Sequence, residues 1–206
     1  MTEGNRFLNL FFSKNTFLGS FNEIQKLPNI KLPECCFIGR SNVGKSSLIN
    51  AITKSKRLAR VSKTPGRTQS VNLYEINKKL NIVDLPGYGY GKFSNNIRNE
   101  LNYLIKNYLE KRRNLRKIYL LVDCKVGIKK LDIDTIDFIL KINKSVDIIL
   151  TKIDKCSNSF VFTQKKSIES LLYNYQKTFM SPIITSSKHN DGIIDVQKEI
   201  FKLTSE

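Results

Sequence analysis

The sequence predicts an α/β domain of three layers, α/β/α, in which helices cover both faces of a mainly parallel six-stranded sheet. Three observations predict it. Short apolar runs alternate with amphipathic stretches along the chain, as in a sheet built from crossover units. Several of the runs are rich in Ile, Val and Leu with little polar alternation, as strands buried on both faces require. Gly and Pro concentrate in two loops, Thr64–Gly66 and Pro86–Gly91, so the rest of the chain is left free for regular elements.

The expected strands are Cys35–Ile38, Val71–Ile76, Leu80–Leu85, Ile118–Val122, Val146–Leu150 and Pro182–Thr185. The expected helices are Lys45–Thr53, Asn95–Arg113, Asp132–Lys144, Ser159–Thr178 and Asp191–Leu203. In the second helix Ile97, Leu101, Leu104, Ile105, Tyr108 and Leu109 recur at helical spacing. Phe7–Phe12 is an apolar cluster without a basic leader region or a small-residue cleavage site, so it reads as an ordered segment packed on the domain rather than a signal peptide. The expected division is an N-terminal extension over residues 1–32 and one domain over residues 33–206.

The chain has 206 residues, 40% hydrophobic and 26% charged, which suits one globular domain. No apolar run approaches the roughly 20 residues that cross a bilayer, so a cytoplasmic protein without a membrane span is expected, by default a monomer. Lys plus Arg number 35 and Asp plus Glu 18, a net charge of +17. That excess favours a polyanionic partner, nucleic acid ahead of an anionic membrane surface. Cys35, Cys36, Cys124 and Cys156 form no metal-like pair, and no disulfide is expected. His189, the single histidine, is given no catalytic role.

Gly39-Arg40-Ser41-Asn42-Val43-Gly44-Lys45-Ser46 fits G-x-x-x-x-G-K-S between a strand and a helix that continues with Ser47. This is the P-loop pattern, and it makes the fold a P-loop NTPase domain. The glycines let backbone N–H groups face phosphate oxygens, and the helix N-terminus adds its dipole. Lys45 supplies a charge to the β- and γ-phosphates, and Ser46 a hydroxyl to Mg²⁺. Asp84-Leu85-Pro86-Gly87 ends a strand: Asp84 can hold Mg²⁺ through water, and Gly87 can offer its N–H to the γ-phosphate. Between them lies Thr64-Pro65-Gly66-Arg67-Thr68-Gln69, followed by Ser70. A hydroxyl here can complete the Mg²⁺ shell only when the γ-phosphate is present, and Thr64, Thr68 and Ser70 all qualify.

Thr151-Lys152-Ile153-Asp154 follows a strand and is similar to the guanine-reading N-K-x-D element. Guanine presents N1–H and N2–H₂ side by side, which one carboxylate can accept, and adenine does not. Thr185-Ser186-Ser187 follows the last apolar run, where a backbone N–H could meet guanine O6. The bound nucleotide is therefore expected to be GTP or GDP, making this a G domain.

Taken together, these motifs resemble the EngB (YihA/YsxC) GTPases, an Era-like branch of the P-loop GTPases. The resemblance covers nearly the whole chain. It rests most on residues Gly39 to Asn50, on Thr64 to Gln69, and on Asp84-Leu85-Pro86-Gly87-Tyr88-Gly89-Tyr90-Gly91. It implies that Thr68 is the switch threonine that joins Ser46 on Mg²⁺, and that Lys45, Thr68 and Gly87 are the catalytic set. It further implies a role in large ribosomal subunit assembly and in cell division and septation.

Tyr88 stands where many signalling GTPases carry a water-orienting Gln, so slow intrinsic hydrolysis is expected. The Gly-rich stretch from Gly87 to Gly91 reads as a mobile second switch. Two basic clusters could meet RNA: Lys111, Arg112, Arg113, Arg116 and Lys117 near a helix end, and Lys54, Lys56, Arg57, Arg60 and Lys63 before the first switch. The alternatives are a nucleotide-binding scaffold without hydrolysis, a GTPase acting on a non-ribosomal partner, or a nucleotide kinase. The base motif argues against a kinase.

Overall fold

The sheet is built around β2, Glu34–Gly39, whose six residues are all buried. The structure is a computed structural model; it describes residues 3–12, 14–61, 69–89, 93–175 and 180–204. On one side β2 pairs in parallel with β4, Leu80–Asp84, and on the other with β5, Leu115–Asp123. Beyond β5 lie β6, Val146–Thr151, and the two-residue β7, Ile183–Ile184, both parallel. Beyond β4 lie β3, Val71–Ile76, and β1, Asn15–Phe21, both antiparallel to their neighbours. The order is β1-β3-β4-β2-β5-β6-β7.

Alternate residues of β2 point to opposite faces, and each face has its own core. Cys36 and Ile38 join α3 (Asn95–Lys111), α4 (Lys130–Lys141) and α5 (Asn158–Tyr173). Cys35 and Phe37 join α2 (Lys45–Ile52), α6 (Ile193–Lys202) and α1 (Glu3–Phe12). The three-layer α/β/α class is therefore observed. No helix among the described residues is long and apolar enough to cross a membrane.

One expectation is corrected: the sheet has seven strands, not six. The added strand, β1, carries Phe17, Leu18 and Phe21 around Gly19 and Ser20, so it offers no apolar run to read. Its order comes from pairing with β3, interrupted by an irregularity between Phe17 and Gly19. Ser20 Oγ donates to Asn72 Oδ1 at 2.5 Å across that pair. On the other face of the sheet, α1 buries Leu10 and Phe11, and its Phe7 ring packs edge-on against Phe11 and Phe201.

Glu34 opens β2 as a fully buried carboxylate. A buried charge must be paired and hydrogen-bonded, and Glu34 is. Arg112 grips it through Nε at 2.8 Å and Nη2 at 2.6 Å. Tyr108 Oη donates at 3.0 Å and Asn81 Nδ2 at 3.2 Å. A third Arg112 contact, Nη2 to the Pro28 carbonyl at 3.0 Å, ties in the chain before β2. This corrects the first basic cluster. Arg112 is committed to the core, and Lys117 is paired with Asp147 at 2.8 Å. Lys111, Arg113 and Arg116 are the members left exposed.

Candidate nucleotide site

The loop from Gly39 to Gly44 leaves the C-terminal end of β2 and enters α2. Asn42 and Gly44 both have left-handed backbone, at φ 61° and 113°. At Gly39 a Cβ would lie 2.7 Å from the Leu121 carbonyl, so only glycine lets the loop leave the sheet here. Val43 is buried, and Ser46 and Ser47 sit half-exposed in the first turn of α2. Four N–H groups of that turn have no intrahelical acceptor, which suits an anion.

Lys45 and Asp84 meet at the bottom of this site, 3.8 Å from Nζ to Oδ1. Burial lowers the Lys45 ammonium's pKa, opposed by the Asp84 charge. Burial raises the Asp84 carboxyl's pKa, opposed by Lys45 and the Ser46 hydroxyl. The burial cause leads in both, so the partners each charge finds do not fully offset its desolvation. Ser46 Oγ donates to Asp84 Oδ2 at 3.1 Å, while Oδ1 is buried and finds no hydrogen-bond donor among the described residues. An under-satisfied carboxylate beside a serine hydroxyl is a donor set that fits hydrated Mg²⁺.

The Asp84–Gly87 turn lies against the phosphate loop. Leu85 N–H donates to the Phe37 carbonyl at 3.1 Å, and Pro86 and Gly87 are buried. Tyr88 N–H donates to the Gly39 carbonyl at 3.3 Å, and Ser41 N–H to the Tyr88 carbonyl at 3.0 Å. The Tyr88 side chain turns into the core, where its hydroxyl donates to Asp132 at 2.6 Å. Tyr88 is therefore an anchored residue and not a free part of a mobile switch. Tyr90 and Gly91 lie outside the described residues, as do Lys63, Thr64, Pro65, Gly66, Arg67 and Thr68. Gln69 is exposed, and Ser70 Oγ donates to Asn72 Oδ1 at 3.4 Å.

At the other end of the site, β6 delivers Thr151 and then Lys152, whose backbone is left-handed at φ 58°. Thr151 Oγ1 donates to the Val43 carbonyl at 2.7 Å, and Lys152 Nζ to the Asn42 carbonyl at 2.5 Å. The base element is thus bolted to the phosphate loop, and the Lys152 stem passes close to Gly44. Ile153 and Asp154 open a short 3-10 turn. Asp154 is exposed, and its Oδ1 accepts from Ser186 Oγ at 2.8 Å. Thr185 N–H is used by the Leu150 carbonyl at 2.7 Å and Ser186 N–H by the Asp191 carbonyl at 3.0 Å. Ser187 follows, half-exposed.

Three side chains at the site were given no role from sequence. Asp123 ends β5 and pairs with Lys152 at 2.8 Å; an Asp closing an apolar strand was the available signal. Asn50 in α2 exchanges two 2.8 Å hydrogen bonds with the backbone of Ala59, fixing the segment that leads toward the first switch. Asp132 carried no signal beyond a helix start.

The parallel sheet, with a phosphate loop at the end of β2 and a Lys-x-Asp element at the end of β6, defines a P-loop GTPase domain. A family model described as a 50S ribosome-binding GTPase matches residues 34–152. The probable GTP-binding protein EngB of Ehrlichia chaffeensis is 42% identical over 195 residues, covering 94% of this chain and 96% of that one. The corresponding protein of Rickettsia bellii is 38% identical over 196 residues, covering 94% and 90%. A crystal structure of a probable GTP-binding protein engB superposes with a TM-score of 0.66 at 26% identity, covering 84% of this chain and 98% of that one. Era in complex with MgGDPNP and a 16S ribosomal RNA segment has the same fold, with a TM-score of 0.67 at 23% identity over 85% of this chain and 57% of that one. The chain belongs to the EngB family of GTP-binding proteins.

Proposed function

We propose that this GTPase is a Mg²⁺-dependent GTP/GDP switch with slow intrinsic hydrolysis, acting in assembly of the large ribosomal subunit. The observation that carries the metal-dependent switch is the buried Lys45–Asp84 pair with the Ser46 hydroxyl beside it, two opposite charges and a hydroxyl held at the bottom of the phosphate site. Asp84 Oδ1 is buried without a hydrogen-bond donor among the described residues, which is the state a nucleotide and its cation would complete. Ser46 and Thr68 would bind Mg²⁺ directly and Asp84 through water. Bound there, the ion would neutralise charge developing between the β- and γ-phosphates.

Residues 39–47 would hold the phosphates, with Lys45 on the β- and γ-oxygens. Gly87 would sense the γ-phosphate together with Gly66, Arg67, Thr68, Gln69 and Ser70. Asp154 would read N1–H and N2–H₂ of guanine, with Lys152 along the base plane; the Thr185 and Ser186 N–H groups are taken by the Leu150 and Asp191 carbonyls, which corrects their expected role and leaves the Ser187 N–H for guanine O6. Slow hydrolysis follows from Tyr88: with its hydroxyl committed to Asp132, it has no free group to orient water. Residues 33–206 would form the working G domain, with residues 1–32 as an extension packed on it, in a cytoplasmic monomer.

The ribosomal role is supported by the net charge of +17 and by the description of the matched family model. The part in cell division and septation rests on the family resemblance alone. Co-sedimentation with purified 50S and 30S particles, with GTP analogue, GDP or no nucleotide, tests the switch. Selective pelleting with 50S in the analogue state is expected. Equal pelleting in all three states, or none at low salt with GTP binding intact, would sink the ribosomal reading.

A further inference from the structure

We infer that Asp132 is a positioning residue for GTP hydrolysis, acting through Tyr88 on the Asp84–Gly87 turn. The inference rests on the GTPase reading above and adds a residue outside every nucleotide motif.

Tyr88 is held from three directions. Its N–H and carbonyl are both bonded to the phosphate loop, at Gly39 and Ser41. Its ring is only 8% exposed, in the core shared with α3 and α4. Its hydroxyl donates to Asp132 Oδ1 at 2.6 Å. Asp132 is itself 1% exposed, and its second oxygen accepts the Lys129 N–H at 2.8 Å, where α4 begins. One side chain thus joins the start of α4 to the residue after Gly87.

The next residue, Gly89, has φ +74°, and a Cβ there would lie 3.3 Å from Leu131 Cδ1. The chain turns out of the core only after Tyr88. The placement of the Gly87 N–H against a γ-phosphate is therefore set by where Tyr88 is pinned, and the hydrogen bond to Asp132 is the side-chain part of that pinning. A tyrosine serving only as core filler needs a hydrogen-bond partner for its hydroxyl, but not backbone bonds to the phosphate loop as well. Preorganised donors aimed at developing charge act mainly on the transition state. The effect should therefore fall on kcat and leave ground-state binding nearly untouched.

The full chain is compared with Tyr88→Phe, Asp132→Ala, Asp132→Asn and the Tyr88→Phe/Asp132→Ala double variant, by phosphate release and by GDP affinity. Tyr88→Phe and Asp132→Ala are each expected to lower kcat about tenfold, the scale of one hydrogen bond to a charged group. KM and GDP affinity should stay within about twofold. Asp132→Asn keeps one oxygen to accept from the Lys129 N–H and an amide N–H that can donate to the Tyr88 oxygen, and should recover most of the rate. The double variant should be no slower than the slower single, because the pair acts as a unit. Tyr88→Phe preserves volume, so it tests the idea even if an Asp132 variant fails to fold. Wild-type kcat in a folded Tyr88→Phe protein, multiplicative losses in the double, or equal loss of kcat and GDP affinity would each overturn the inference. A wild-type chain that releases no phosphate would remove the hydrolytic reading first, and that result is visible before any variant is made.

Discussion

At the scale of the residue, the nucleotide site trades stability for binding. Burial raises Asp84's pKa, so the fold favours the protonated carboxyl. The sign follows: this preference helps folding in full below the unfolded carboxylate's pKa, and the help is lost as pH rises through the raised folded value. Above that range the ionised group is a net cost to the nucleotide-free fold, which the proposed cation would offset. Asp84→Asn should therefore raise the melting temperature of the nucleotide-free protein at pH 7, by about 2–4 °C for a change of 1 kcal/mol in a chain of this size. The same variant should lose Mg²⁺-dependent binding of a GTP analogue by about tenfold or more. Thermal melts without nucleotide, paired with binding in Mg²⁺ and in chelator, check both halves. A lower melting point would mean that the Lys45 and Ser46 contacts outweigh burial. Chemical identity at this scale was legible in sequence, because G-x-x-x-x-G-K-S and D-x-x-G dictate both residue type and spacing. What spacing could not give was direction: Tyr88 was read at its place after Gly87, but only the fold shows its side chain turned to Asp132.

At the scale of the element, six of the seven strands were legible and the antiparallel edge strand β1 was not. Val71–Ile76 was read with its observed bounds, and the other five expected strands fall within a few residues of theirs. All of them except β7 are mostly buried, so their composition declares them. The edge strand β1 is half-exposed and owes its order to β3, a long-range pairing that a local pattern cannot report. The end of α3 was misread for a related reason. Arg112 sits in a run of cations and looks like surface, yet it reaches a carboxylate that opens β2. Arg112→Ala would leave Glu34 buried with only neutral donors, and loss of one partner of a buried pair costs about 3–5 kcal/mol. Arg113→Ala, at an exposed position, should change stability by no more than about 0.5 kcal/mol. Urea midpoints of the two variants check the contrast. Equal midpoints would show that Glu34 does not depend on its guanidinium.

At the scale of the whole molecule, the question is where a charge of +17 is presented. The number was legible, but its distribution was not, because a cation's role depends on the partner it finds in the fold. Near the end of α3 two of five cations are spent internally, on Glu34 and Asp147. Before the first switch, Lys54, Lys56, Arg57 and Arg60 are all exposed. Lys54 lies 3.9 Å over the Phe12 ring, which leaves Lys56 and Arg57 as the cleaner probes. The segment that carries them is held to α2 by the Asn50–Ala59 bonds, and α2 begins in the phosphate loop. A polyanion bound here would therefore be mechanically close to the nucleotide. Charge reversal, Lys56→Glu with Arg57→Glu, should weaken 50S binding in the GTP-analogue state and flatten its salt dependence by about two units of log–log slope, if each cation neutralises one phosphate. GTP affinity should stay within about twofold, since neither residue belongs to a nucleotide motif. Pelleting across a salt titration, with nucleotide affinity measured on the same preparation, separates the cases. An unchanged slope would move the polyanion contact elsewhere on the surface. A parallel loss of GTP affinity would show that the reversal had disturbed the switch instead of a docking face.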